Sequence, residues 1–163
     1  MQKILIISTG GTFNKVYNPI NGELIIDEES KALEEIASKW LCKFEIINII
    51  GKDSLNITNQ DRLLLLATIN QSKYDDIIVI HGTDTMDLTA EYLADADIDK
   101  RIVLTGTMVP YSIDPIEATA NFASAFGYLQ TLTDDGVYIT MHGLFGSYTK
   151  IIKDKKNGKF IIF

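Results

Sequence analysis

Apolar and polar positions alternate in two rhythms along this chain. Short, nearly continuous apolar runs occur at KILIIS (Lys3–Ser8), FEIINII (Phe44–Ile50), DIIVIHG (76–82), RIVLTG (Arg101–Gly106) and GVYITMHG (Gly136–Gly143). Their length, β-branched content and polar or glycine boundaries predict strands. Between them the apolar positions take helical spacing. DEESKALEEIASKWL (Asp27–Leu41) places Leu33, Ile36, Ala37 and Trp40 on one face. TNQDRLLLLATINQS starts with Thr58 or Asn59 as N-cap, MDLTAEYLAD covers Met86–Asp95, and PIEATANFASAFGYLQTL (Pro115–Leu132) carries proline in its first turn. KFIIF at the end reads as a short strand or a tail.

Strands that are apolar almost throughout are covered on both faces, and their alternation with helices predicts a doubly wound α/β fold. The expectation is a mainly parallel sheet flanked by helices, three layers in one domain over residues 1–163. Asn14–Glu23 (NKVYNPINGE) lacks periodicity and reads as a loop or hairpin at the rim of any site built by the strand ends.

Composition narrows the function classes. The 163 residues are 46% hydrophobic and 23% charged, ordinary for one folded domain. The net charge of −7 disfavours a nucleic-acid partner. Lysines cluster in KIIKDKKNGK (Lys150–Lys159), most of them read as a solvated helix or turn. Cys42 is the single cysteine, so no internal disulfide forms and no zinc spacing exists. The amino-terminal apolar run is too short for a signal peptide or membrane span, which makes cytoplasm the expected compartment. Neither metal nor cofactor is expected.

The chemistry gathers where the strands end. The first strand opens into TGGT (Thr9–Thr12) and the third into HGTDT (His81–Thr85). Gly10 and Gly11 allow close backbone approach to a ligand. Asp84 is a candidate cap for the following helix, with Thr83 or Thr85 sharing the role. That leaves spare groups: a carboxylate at a strand end can hold an ammonium, and a hydroxyl can hold or attack a carbonyl. His81 reads as a hydrogen-bonded core histidine. TGTMVPYS (Thr105–Ser112) and MHG bring small and hydroxyl residues to two more strand ends, which argues for a shared pocket.

TGGT, Asp53–Ser54, HGTDT and TGTMVPYS, in this order and spacing, resemble the L-asparaginases. The resemblance covers the amino-terminal domain of the usual enzyme and is strongest to the short-chain forms, which have no carboxy-terminal domain. It therefore implies a complete short enzyme with a more open pocket than its longer relatives. It also implies hydrolysis of the L-asparagine side-chain amide, with L-glutamine as the alternative substrate, through an acyl-enzyme on Thr12. Tyr17 matches the loop tyrosine beside the nucleophile, as base or lid residue. Thr83 would orient the amide or the attacking water, and Asp84 would face the α-ammonium group. Ser54 would bind the α-carboxylate, with Asp53 as a second anchor. The backbone amides of Gly11 and Thr83 are the expected oxyanion donors. The family's buried lysine falls on Lys153 by ungapped counting from TMHG, with Lys150 as rival. Glu117–Ala118 stands where the family usually has Asp-Gly, with Asn121 in register.

Two other readings remain. One is an amidase subunit of an assembly, as in the tRNA-dependent amidotransferases, which carry a similar domain. The other is a non-catalytic amino-acid-binding module. A homodimer or higher homo-oligomer is expected, with no membrane partner.

Overall fold

The computed structural model describes residues 3–163. The sheet strands are β1 (Ile4–Gly10), β4 (Glu45–Lys52), β5 (Asp76–Ile80), β6 (Arg101–Thr105), β7 (Gly136–Met141) and β8 (Leu144–Ser147). They lie in the order β4-β1-β5-β6-β7-β8, all neighbours parallel except the last pair. The strand order reverses between β1 and β5. The crevice beyond their carboxyl ends is where such a sheet leaves room for a ligand.

Consecutive strand residues point to opposite faces, and both faces are covered. Ile4, Ile6, Ile78, Ile80 and Val103 pack with Leu33 and Ile36 of α1 (Lys31–Lys39) and Ala118, Phe122, Ala125 and Leu129 of α4 (Pro115–Leu129). Leu5, Ile7, Ile77, Val79, Ile102 and Leu104 pack with Leu65 and Ile69 of α2 (Asn59–Gln71) and Ala90 and Leu93 of α3 (Met86–Asp95). The doubly wound, three-layer expectation holds. No helix among the described residues is long and apolar enough to cross a membrane.

Local chemistry sets the helix ends. α2 starts at Thr58, whose hydroxyl accepts the Asp61 N–H while Asp61 accepts the Thr58 N–H, a reciprocal capping box. Asp114 caps α4 ahead of Pro115. α1 is shorter than the Asp27–Leu41 expectation. The Asp27 carboxylate instead accepts from the amides of Glu29 and Lys31, and Ser30 turns left-handed at φ 53°. α4 likewise ends at Leu129 rather than Leu132.

Two hairpins complete the chain. β2 (Lys15–Tyr17) and β3 (Leu24–Ile26) pair antiparallel at the rim. β9 (Ile151–Asp154) and β10 (Lys159–Ile162) form the second ribbon, which makes KFIIF a strand; Lys150, Lys155 and Lys156 lie in exposed turns as expected, while Lys153 and Lys159 stand on strands. Ile151 and Phe160 of that ribbon enter the α2–α3 face of the core.

His81 is the expected core histidine, 1% exposed. Its Nδ1 lies 2.7 Å from the Gly82 carbonyl and its Nε2 lies 2.8 Å from Thr89 Oγ1. Arg62 Nε donates to that same hydroxyl at 3.0 Å. Thr89 therefore gives its proton to Nε2, and the neutral ring carries hydrogen on Nδ1. Burial pushes the His81 pKa down to about 4 from 6.5. The unfolded chain takes up this proton first, so the stability at stake is intact above pH 6.5 and is lost toward pH 4. That loss amounts to about 3 kcal/mol over the window. Urea unfolding of wild type and His81→Gln at pH 7.5, 6, 5 and 4.5 should show a shallower decline in the variant; equal declines would contradict the assignment.

Candidate active site

Glycines let four strand-end loops touch. A methyl group on Gly11 would lie 2.6 Å from the Gly82 nitrogen, one on Gly82 would lie 2.6 Å from Ser54 Cβ, and one on Gly106 would lie 2.2 Å from the His81 oxygen. Gly11 also sits at φ 72°, ψ −175°, a region open to glycine alone. Thr12 follows Gly11 and Thr83 follows Gly82, so the two threonines leave the contact point side by side.

A bulge aims the third loop. β4 pairs Asn48 with Ser8 but Lys52 with Gly10, so Ile49–Gly51 face Thr9 alone. Ile50 takes φ 69°, a strained value for a β-branched residue. The bulge brings the Lys52 carbonyl to the Gly11 N–H at 2.9 Å. That amide is therefore spent on the scaffold, which corrects its expected role as an oxyanion donor. Thr12 N–H and Thr83 N–H carry no bond to another described residue.

Lys153 joins the cluster from the second hairpin. Residues two apart on a strand share a face, so Ile151, anchored in the core, turns Lys153 inward. Lys153 Nζ donates to Thr83 Oγ1 at 2.8 Å and to Asp84 Oδ1 at 2.7 Å. Lys150 is exposed in the turn before β9. Thr83 is 8% exposed, whereas the Asp84 side chain stays 41% exposed and open to a ligand. Asp84 does not cap α3, since its carboxylate serves Lys153. Thr85 occupies the cap position without a capping bond and donates its hydroxyl to the Ser54 carbonyl at 2.8 Å.

Ser54 is 1% exposed, and its Oγ accepts the Asp84 N–H at 3.2 Å. Asp53 Oδ1 accepts the Leu55 N–H, and Oδ2 takes Lys15 Nζ at 2.8 Å. The Lys15 contact, chief among the causes, holds the Asp53 carboxyl below its ordinary value against the opposing pull of burial. Thr12 is half-buried, and its hydroxyl has no partner among the described residues. Tyr17 is 62% exposed on β2. Its hydroxyl lies over Gly22, in the hairpin's own turn, and makes no hydrogen bond to Thr12.

Glu117 has a structural use that its sequence context did not reveal. Its carboxylate accepts from the amides of Met108 (2.8 Å) and Val109 (3.0 Å) and meets His142 Nε2 at 2.8 Å. Burial alone would raise this carboxyl, but the His142 ring and the two amides outweigh it and hold it low. Asn121 continues the brace, donating to the Gly106 carbonyl and accepting from the His142 N–H, both at 2.9 Å. No group of three or more metal-binding side chains is present among the described residues.

The chain that carries this arrangement is similar to known proteins. The family model "Asparaginase, N-terminal" covers residues 3–157. The chain belongs to this asparaginase family. It is 30% identical over 141 residues to a probable periplasmic L-asparaginase of Haemophilus influenzae, covering 77% of this chain and 38% of that protein. It is 29% identical over 158 residues to one of the subunits of a glutamyl-tRNA(Gln) amidotransferase from Methanococcus maripaludis, covering 88% of this chain and 35% of that one. The thermostable L-asparaginase of Thermococcus kodakarensis superposes with a TM-score of 0.82 at 24% identity, over 99% of this chain and 51% of that one, and so shows the shared fold. The chain thus spans under half the length of these two curated relatives.

Gly11→Ala should destabilise the domain by about 2–4 kcal/mol, the sum of backbone strain and a collision with Gly82. Chemical denaturation measures this, and an unchanged midpoint would refute the contact.

Proposed function

We propose that this asparaginase-family domain hydrolyses the side-chain amide of L-asparagine to L-aspartate and ammonia. One observation carries the reading: Lys153 binds the Thr83 hydroxyl and the Asp84 carboxylate together, on the loop whose Gly82 packs against Gly11, the residue before Thr12. With Lys153 donating to its oxygen, the Thr83 hydroxyl keeps its own proton for a ligand or a water. Asp84 receives the substrate ammonium, and Ser54, with its hydroxyl proton unspent, receives the α-carboxylate. Those two anchors set the side-chain amide against Thr12.

Thr12 Oγ attacks the amide carbon, an ester bond forms, and the C–N bond breaks. Ammonia leaves carrying the threonine proton. Water then cleaves the ester, releasing L-aspartate and restoring the hydroxyl. The N–H groups of Thr12 and Thr83 are the available oxyanion donors, each worth roughly 3–4 kcal/mol when preorganised. Tyr17 acts on closure of the β2–β3 hairpin, since its exposed hydroxyl lies over Gly22 and makes no hydrogen bond to Thr12. No metal or cofactor enters this route. L-Glutamine is the alternative substrate, one methylene longer.

The match to an amidotransferase subunit supports a second reading, ammonia release inside an assembly. Co-purification with a partner chain or tRNA would favour it; the net charge of −7 weighs against an RNA contact. Asparagine binding without ammonia release would favour a binding module. A homodimer or higher homo-oligomer belongs to the hydrolase reading, which sedimentation equilibrium should show as at least a dimer.

Thr12→Ala, Thr83→Ala and Lys153→Met should each lower ammonia release from L-asparagine by about a thousandfold or more, with circular dichroism unchanged. Near-normal turnover in a folded variant would refute the role of that residue.

A further inference from the structure

Lys15 stands at the root of the rim hairpin and ties three loops together. It follows the Thr12 turn, its Nζ donates to Asp53 Oδ2 at 2.8 Å, and its carbonyl accepts the Ser112 hydroxyl at 2.6 Å. The pair is sheltered, with the Lys15 and Asp53 side chains 24% and 31% exposed. Asp53 cannot turn away, because its other oxygen caps the turn that carries Ser54.

This fixes a carboxylate next to the buried serine assigned to an incoming α-carboxylate. Left alone, the two like charges would repel. Within one screening length and at an effective dielectric near 20, the repulsion corresponds to about a tenfold loss of affinity. The other charges at the crevice, Lys153 and Asp84, are already joined to each other. Lys15 is the cation in direct contact with Asp53.

We propose that Lys15 is a specificity-determining positioning residue, which cancels the charge of Asp53 so that the crevice accepts a ligand bearing an α-carboxylate. This rests on the placement of Ser54 made under the proposed function. A lysine that served only to latch the hairpin would share the same contacts, but not the same response to removal of Asp53. Without the carboxylate, a charge-cancelling lysine has nothing left to cancel, whereas a broken latch stays broken.

The test is a double-mutant cycle read by calorimetric titration with L-aspartate on the full chain. Lys15→Met should weaken binding about tenfold, and Lys15→Arg should restore most of it. Asp53→Asn alone, and Asp53→Asn combined with Lys15→Met, should both bind within about twofold of wild type, whereas a lost latch would leave both weak and overturn the proposal. The proposal is overturned by an equal loss in both backgrounds, by no loss in the single variant, or by no L-aspartate binding to wild type. Ammonia release from L-asparagine is followed in parallel. A wild-type chain that binds L-aspartate and obeys the cycle, yet releases no ammonia, would sink the hydrolase reading and leave this one standing.

Discussion

Backbone laid directly on backbone is the constraint from which the site follows. Gly11 rests on the Gly82 backbone and Gly106 on the His81 carbonyl, and Gly82 in turn meets the Ser54 side chain, with no space for a side chain on any of the three glycines. The sheet brings the strand ends within a strand spacing of one another. The missing side chains then let the loops close the remaining gap, so that Thr12, Ser54 and Thr83 start from one point. Strain at Gly11 and Ile50 is tolerated because apolar packing on both faces of the sheet over-determines the strand positions.

Charge is arranged around that contact in joined pairs. Lys153 meets Asp84, Lys15 meets Asp53, Lys52 meets Asp61, and His142 meets Glu117. Each pair also binds a backbone amide or a hydroxyl, so it acts as a clamp on a loop as well as an ion pair. The energetic return of such half-exposed pairs is modest. Their value is geometric, since each fixes a loop whose backbone would otherwise be held only at its strand end.

The fold was legible because both periodicities are strong. Apolar strands such as Ile77–Ile80 and the one-sided pattern of Leu33, Ile36 and Ala37 leave few alternatives. The strand-end cluster was legible from residue type, and Lys153, with Lys150 as rival, only through the family resemblance, by counting without gaps from TMHG. Other features depend on partners distant in the chain. The use of the Gly11 amide depends on a bulge that places Lys52 opposite Gly10, and no periodicity announces it. Lys15 carried no signal in the sequence, and Glu117 stood out only as a departure from the family's Asp-Gly step; their uses depend on Asp53, His142 and two loop amides that the fold brings to face them. The β9–β10 ribbon is short and rich in lysine, so its pattern resembled a solvated turn; only the burial of Ile151 and Phe160 separates the two. Tyr17 carried a family role in the sequence, yet it is exposed and its hydroxyl lies over Gly22 of its own hairpin.

Lys153 follows in the chain every group it joins, which has a consequence for synthesis on the ribosome. Thr12, Ser54, Thr83 and Asp84 are all translated well before it, and domains tend to fold from the amino terminus as they emerge. The ribbon that delivers the lysine is made after the strands of the sheet. A nascent chain can therefore assemble its sheet while Thr83 and Asp84 still wait for their cation, so the polar cluster closes only once that ribbon has emerged.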